Sequence, residues 1–188
     1  MTTLEVYYGR YDLSRSLAVI NTTMAALVRD QQADDEYPKT AKELLADEEK
    51  QRDRGRLLAD LSIARSIIRA HRDVKVRRTA SAEARQRYRE QGVKGPFKDK
   101  GWTEVTVLLP GGTRLKMKTQ YIRPSRKGMV GRPRGIGKRR EGGTGCYPIL
   151  EHLGIEWEAT PLTRSIVSRQ TVLCSSYAEA QEQLKRDG

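Results

Sequence analysis

The sequence has little with which to build a covalent or metal-held framework. Two cysteines, Cys146 and Cys174, and two histidines, His71 and His152, are spread over 188 residues. None of the four stands at a Cys-x-x-Cys or His-x-x-x-His spacing, which argues against a zinc site and a disulfide scaffold. The expectation is two buried thiols and two surface imidazoles, in a reducing compartment. Aromatic residues make up only 6% of the chain, Phe occurs once, and the mean hydropathy is −0.71. Such a composition fills a modest helical core and leaves much of the chain solvated. No stretch approaches the ~20 apolar residues that span a bilayer. The first ten residues lack a basic leader followed by an apolar run. A cytoplasmic protein with no membrane partner is expected.

Catalytic constellations are equally scarce. Cys146 follows Gly145 and precedes His152, but no third group stands where it would orient the imidazole. The acidic runs Asp34-Asp35-Glu36 and Asp47-Glu48-Glu49 lie in loop or helical contexts and read as solvated faces rather than two-metal ligands. The stretch from Gly131 to Lys138 imitates a phosphate loop and fails. Five residues, not four, separate Gly131 from Gly137, and Arg139 stands where Ser or Thr would bind magnesium. No catalytic residue, metal or cofactor is expected, and the chain does not read as an enzyme.

Positive charge is what the sequence does have. Against 24 Asp and Glu stand 36 Lys and Arg, a formal net charge of +12 and a pI near 9.9. An excess of this size points to a polyanion, with nucleic acid ahead of an anionic membrane surface. The charge is also clustered. Across residues 123–145 glycines interrupt every regular element and basic side chains dominate: Arg123, Arg126, Lys127, Arg132, Arg134, Lys138, Arg139 and Arg140. Only Glu141 is acidic. A cationic Gly-rich linker of this kind can follow a phosphate backbone and release counterions as it binds. Within it Gly131-Arg132-Pro133 resembles the core of an AT-hook, a narrow segment that lies in the minor groove of A·T-rich DNA. Val130 stands where that motif usually has arginine.

The hydrophobic pattern predicts a mainly α protein with one β-hairpin (α+β). Leu13, Leu17, Ile20, Met24, Leu27 and Val28 form one stripe of a helix over 13–32, with Asp12 as its cap. Leu57, Leu61, Ala64, Ile67 and Ile68 form a second, over 39–54 and 56–72, as two helices or one kinked at Gly55. A third helix is expected over 81–91, capped by Thr79 or Ser81 and ended by Gly92. The first two stripes suit an antiparallel helical pair. Residues 102–122 alternate around Pro110-Gly111-Gly112-Thr113 and read as a hairpin, which needs a helix, a partner or DNA to cover its apolar face. Three short helices follow: 147–153 closed by Gly154, one opened by Thr160-Pro161, and one opened by the capping box Ser176 to Glu179. The regions expected are thus a helical 1–100, the hairpin 101–124, the basic linker 125–145 and a helix-turn-helix-like unit at 146–188.

The second half is similar to a known family. The hairpin with Leu109-Pro110-Gly111-Gly112, then Tyr121-Ile122-Arg123-Pro124 and the Arg/Gly run, resembles the N-terminal part of bacterial insertion-sequence transposases of the Kra type. So does the stretch from Gly143 through Cys146-Tyr147-Pro148, Leu150, Leu153 and Gly154-Ile155, followed by Thr160-Pro161, Ser165, Val167 and Arg169-Gln170. The likeness covers residues 102–188, and residues 1–101 have no part in it. In such transposases this region precedes a helix-turn-helix segment and a DDE catalytic domain that binds two magnesium ions. The resemblance therefore implies DNA binding and a role in transposition and recombination of a mobile element, without strand cleavage by this chain. The partners it implies are DNA and a catalytic transposase chain or domain; the helical pair over residues 13–72 adds a homodimer as an expected partner, as a dimerisation arm. The alternatives are an RNA-binding module and a protein-interaction module with a cationic linker.

Overall fold

The computed structural model describes residues 3–5, 13–33, 40–93, 96–124, 145–174, 176, 178–179 and 181–182. In chain order the elements are β1 (Thr3–Glu5), α1 (Leu13–Ala33), α2 (Ala41–Arg72), α3 (Val74–Glu90), β2 (Phe97–Leu108), β3 (Arg114–Pro124), α4 (Pro148–His152) and α5 (Pro161–Leu173). The class is α+β, mostly helical around one antiparallel hairpin.

The α2 segment is one helix of 32 residues through Gly55. Its start is fixed by Thr40, whose hydroxyl accepts from Glu43 N at 3.2 Å. Glycine inside a helix costs roughly 0.5–1 kcal/mol relative to alanine, too little to break a helix whose second half is anchored by burial. That half carries every buried residue of α2: Asp60, Leu61, Ala64, Ile67, Ile68 and His71. One residue separates α2 from α3. Asp73 closes the first helix with its N–H on Arg69 O and Ala70 O. It opens the second with Oδ1 accepting from Lys75 N (2.7 Å) and Val76 N. The third helix therefore begins at Val74 rather than near residue 81, because an aspartate cap at 73, well ahead of Thr79 and Ser81, satisfies its first amides.

The hairpin pairs Val105 with Met117 and Val107 with Leu115, all four buried on one face. The register slips once between Asp99 and Trp102, where Gly101 adopts φ +83. A short strand that alternation does not reveal, β1, runs parallel to β3 with Leu4 opposite Leu115, so the sheet order is β1-β3-β2. On its apolar face lie Leu61, Ala64 and Ile68 of α2, Ile20 of α1 and Ala80 of α3, joined by Ile149, Leu150 and Ile155 from beyond α4's start. One cluster thus draws on both halves of the sequence. Each fully buried Leu or Ile in it contributes about 1.5–3 kcal/mol.

The turn of the hairpin is held from α2. The Asp60 carboxylate, with no exposed surface, accepts from Gly111 N at 2.8 Å and Thr113 N at 3.0 Å. Any side chain at Gly111 would meet Asp60 Oδ2 at 2.8 Å and Arg56 O at 3.1 Å. The glycine is needed there for closeness of approach. His71, expected on the surface, is instead 1% exposed. Its Nε2 lies 3.2 Å from Thr119 Oγ1, and its ring sits 5.4 Å from that of Trp102. Burial, and secondarily the Arg77 guanidinium, push its pKa down to about 4.

After α4, Gly154 (φ +68) ends the turn and the chain returns to the sheet edge. Leu108 N donates to Glu158 O and Thr160 N to Leu108 O. Thr160 also caps α5, with Pro161 in its first turn. Ser176 Oγ accepts from Glu179 N at 3.2 Å. The expected cap at Asp12 lies outside the described residues.

Candidate nucleic-acid interface

Of the eight basic residues picked out for DNA contact, Arg123 lies in β3, half-buried and opposite Lys98. The other seven, Arg126, Lys127, Arg132, Arg134, Lys138, Arg139 and Arg140, lie outside the described residues, as does the Gly-Arg-Pro core at 131–133. What is described is the frame from which their segment departs and to which it returns.

That frame is narrow. On the side of β3 away from β2, Ile122 N donates to Cys146 O (3.0 Å) and Cys146 N donates to Ile122 O (2.8 Å). The chain leaving at Pro124 and the chain arriving at Gly145 are therefore fastened side by side by two backbone hydrogen bonds. Gly145 N adds a third, to the Tyr121 hydroxyl at 2.9 Å. A side chain at Gly145 would collide with Ile122 O and the Tyr121 ring, so only glycine lets the strands close. The rings of Tyr121 and Tyr147, 5.0 Å apart, flank the junction. Residues 125–144 hold seven basic and one acidic side chain, a net +6, half of the chain's +12. Half the net charge thus issues from a single point on the sheet.

Helix α3 backs this neck. Ala84 and Tyr88 pack on Ile122 and Cys146 in a small cluster of their own. Burial, with the Glu151 carboxylate secondary, pushes the Cys146 thiol up to about 11; burial likewise raises Tyr88. Both stay protonated at neutral pH, so the thiol offers no thiolate for nucleophilic chemistry. Two contacts link α3 to α4: an ion pair between Arg87 and Glu151 at 2.8 Å, and a hydrogen bond between His152 Nδ1 and the Glu83 carboxylate at 2.7 Å. Being partly exposed, each contributes at most about 1 kcal/mol. These contacts brace the neck from the α3 side.

Among the described residues no three His, Cys, Asp or Glu side chains are grouped to hold a metal ion, and no helix is long and apolar enough to cross a membrane. Sequence reasoning picked out the cations and missed the neck. Tyr121 reads only as one more alternating residue of the hairpin, and Gly145 and Tyr147 carry no periodic signal, because a single bridging residue is too short to alternate. Comparison with family models, with curated proteins and with solved structures gave no match.

Proposed function

We propose that this chain binds duplex DNA as the N-terminal portion of an insertion-sequence transposase of the Kra type, acting in the cytoplasm and leaving strand cleavage to a catalytic chain or domain. The observation that carries the reading is the concentration of a net +6 in 20 residues whose two ends are fastened together on a buried sheet edge. A segment so anchored meets phosphates at a lower entropic cost than a free tail, because its ends are already ordered. Arg132, Arg134, Lys138, Arg139 and Arg140 make the main phosphate contacts, and Arg123, Arg126 and Lys127 add to them. The order of motifs over residues 102–188 supports the transposase assignment.

The test is a salt series. The full chain is titrated with the terminal DNA of its element and with an A·T-matched random duplex, beside a variant with those five residues changed to Gln. Wild-type affinity should fall steeply with salt. The variant's slope should be shallower by about 0.9 for each phosphate it no longer neutralises. An unchanged slope and affinity in the variant would remove the segment from the interface. Absence of binding to either duplex would end the DNA reading.

A second copy as partner has its own support. Leu44 and Leu45 on α2, and Val19 and Val28 on α1, are all exposed. Concentration-dependent mass in solution checks it.

A further inference from the structure

Helix α3 is amphipathic in an unusual sense: its inner face is small and apolar, and its outer face is cationic. Ala80 and Ala84 are buried, and Val76 and Tyr88 half-buried against the rest of the protein. On the other side Lys75, Arg78, Arg85 and Arg89 are all exposed. At 100° per residue these four fall within about 80° of arc, centred nearly opposite the buried alanines. The fifth position of the stripe is Ala82, also exposed. From first to last the cations span about 21 Å along the helix axis.

Nothing on the helix neutralises them. Its two acids are committed elsewhere, Glu83 to His152 and Glu90 to the Gln86 side-chain amide at 3.0 Å. Among the described residues no carboxylate is ion-paired with Lys75, Arg78, Arg85 or Arg89. Four like charges on one rigid face repel each other and lower stability slightly. An external polyanion relieves that repulsion.

We infer that the outer face of α3 is a second DNA-binding surface, in which Lys75, Arg78, Arg85 and Arg89 contact the phosphate backbone of a duplex. The inference rests on the DNA reading given above and adds an ordered element to it. A duplex suits the surface better than a single strand does. A straight array of cations of fixed length matches a stiff polyanion with a phosphate every 3.4 Å or so along each strand, whereas single strands are held on aromatic platforms, and this stripe has none. The position agrees as well. The inner face of α3 packs on Ile122 and Cys146, so the helix and the neck of the basic segment belong to one packed unit.

The experiment uses the full chain and a 20-base-pair DNA duplex, with an RNA duplex of the same sequence as competitor, over a salt series. The variants are K75Q/R78Q, R85Q/R89Q and all four together, and the control is K42Q/R52Q on exposed α2 positions. Because every position is exposed, the variants should melt as the parent does by circular dichroism; the two pairs are read separately should the quadruple variant not fold. Each pair should flatten the salt slope by about two and the quadruple variant by about four, with a loss of affinity on the order of 100-fold at 0.15 M salt. The control, with equal charge removed, should bind as wild type. If wild type binds DNA steeply while the α3 variants keep its slope, α3 is not an interface and the DNA reading stands without it. If the control falls as far as the pairs, the effect is net charge and the proposed surface is overturned. Stronger binding of the RNA duplex, abolished in the α3 variants, would assign the surface to RNA. No binding of wild type to DNA at any salt would overturn both readings together.

Discussion

The two ends of the β2–β3 hairpin are anchored by opposite means. At the turn, a buried carboxylate from α2 accepts two backbone N–H groups and leaves no slack between Gly111 and the helix. At the open end, the bridge itself is made of neutral groups, with the Arg87–Glu151 ion pair only behind it: two backbone hydrogen bonds between Ile122 and Cys146, a tyrosine hydroxyl, a protonated thiol and a ring contact. A charge buried with its partners fixes a shape, and losing any member is costly. Neutral contacts fix a position at less cost and leave the local potential to the cations beside them. The turn end thus serves the fold, and in the proposed function the open end is where the cationic segment meets DNA, a division between scaffold and binding segment.

The comparison breaks most sharply at Asp60. Asp60→Ala leaves two backbone donors buried without an acceptor, and urea denaturation should show a loss of about 3–5 kcal/mol. Asp60→Asn, which keeps one acceptor oxygen, should lose less. A loss near zero for Asp60→Ala would mean the turn holds itself.

Next in size is a pH effect midway along the sheet. His71 titrates near 4 when folded, well below its ordinary 6.5, so the unfolded chain takes up the proton first as pH falls. Its contribution is whole above pH 6.5 and is lost between 6.5 and 4, by about 3 kcal/mol. In His71→Gln the dependence between pH 6.5 and 5 should flatten, as read from denaturation midpoints across pH. A curve as steep as the parent's would place the titrating group elsewhere.

Smaller effects are expected at the open end. Gly145→Ala should part the Ile122–Cys146 bridge, giving faster amide exchange at both residues and a stability loss of about 2 kcal/mol. Tyr121→Phe removes only the acceptor for Gly145 N–H and should lose about 1 kcal/mol. Should these two equal Asp60→Ala in effect, the ends would not differ in kind.

What is legible in the sequence divides along the same line. The stripes of α1 and α2 follow from apolar spacing, and the hairpin from alternation around a Gly-Gly turn, because each signal repeats over enough residues to be read locally. Asp60 carries no such signal. It is one acid in an acidic-basic helix, and only the approach of a turn some 50 residues later makes it a buried clamp. Asp73 is easily passed over as a cap because Thr79 and Ser81, nearer the expected helix, compete for the role. A helix start set at residue 81 leaves Lys75 and Arg78 outside α3 and hides the cationic stripe. His71 stands one turn beyond Ile67 and Ile68 on the buried side, a position that spacing favours and polarity disguises. The neck depends on a single bridging residue, and no pattern of one residue exists.

Lysine acetylation with and without a saturating DNA duplex, read by peptide mass spectrometry, tests the central claim most directly. If DNA binds at the open end and along α3, Lys75, Lys127 and Lys138 lose reactivity in the complex, while Lys42 and Lys50 on the first half of α2 keep theirs. Protection of Lys42 and Lys50 with Lys75, Lys127 and Lys138 unchanged would contradict the account.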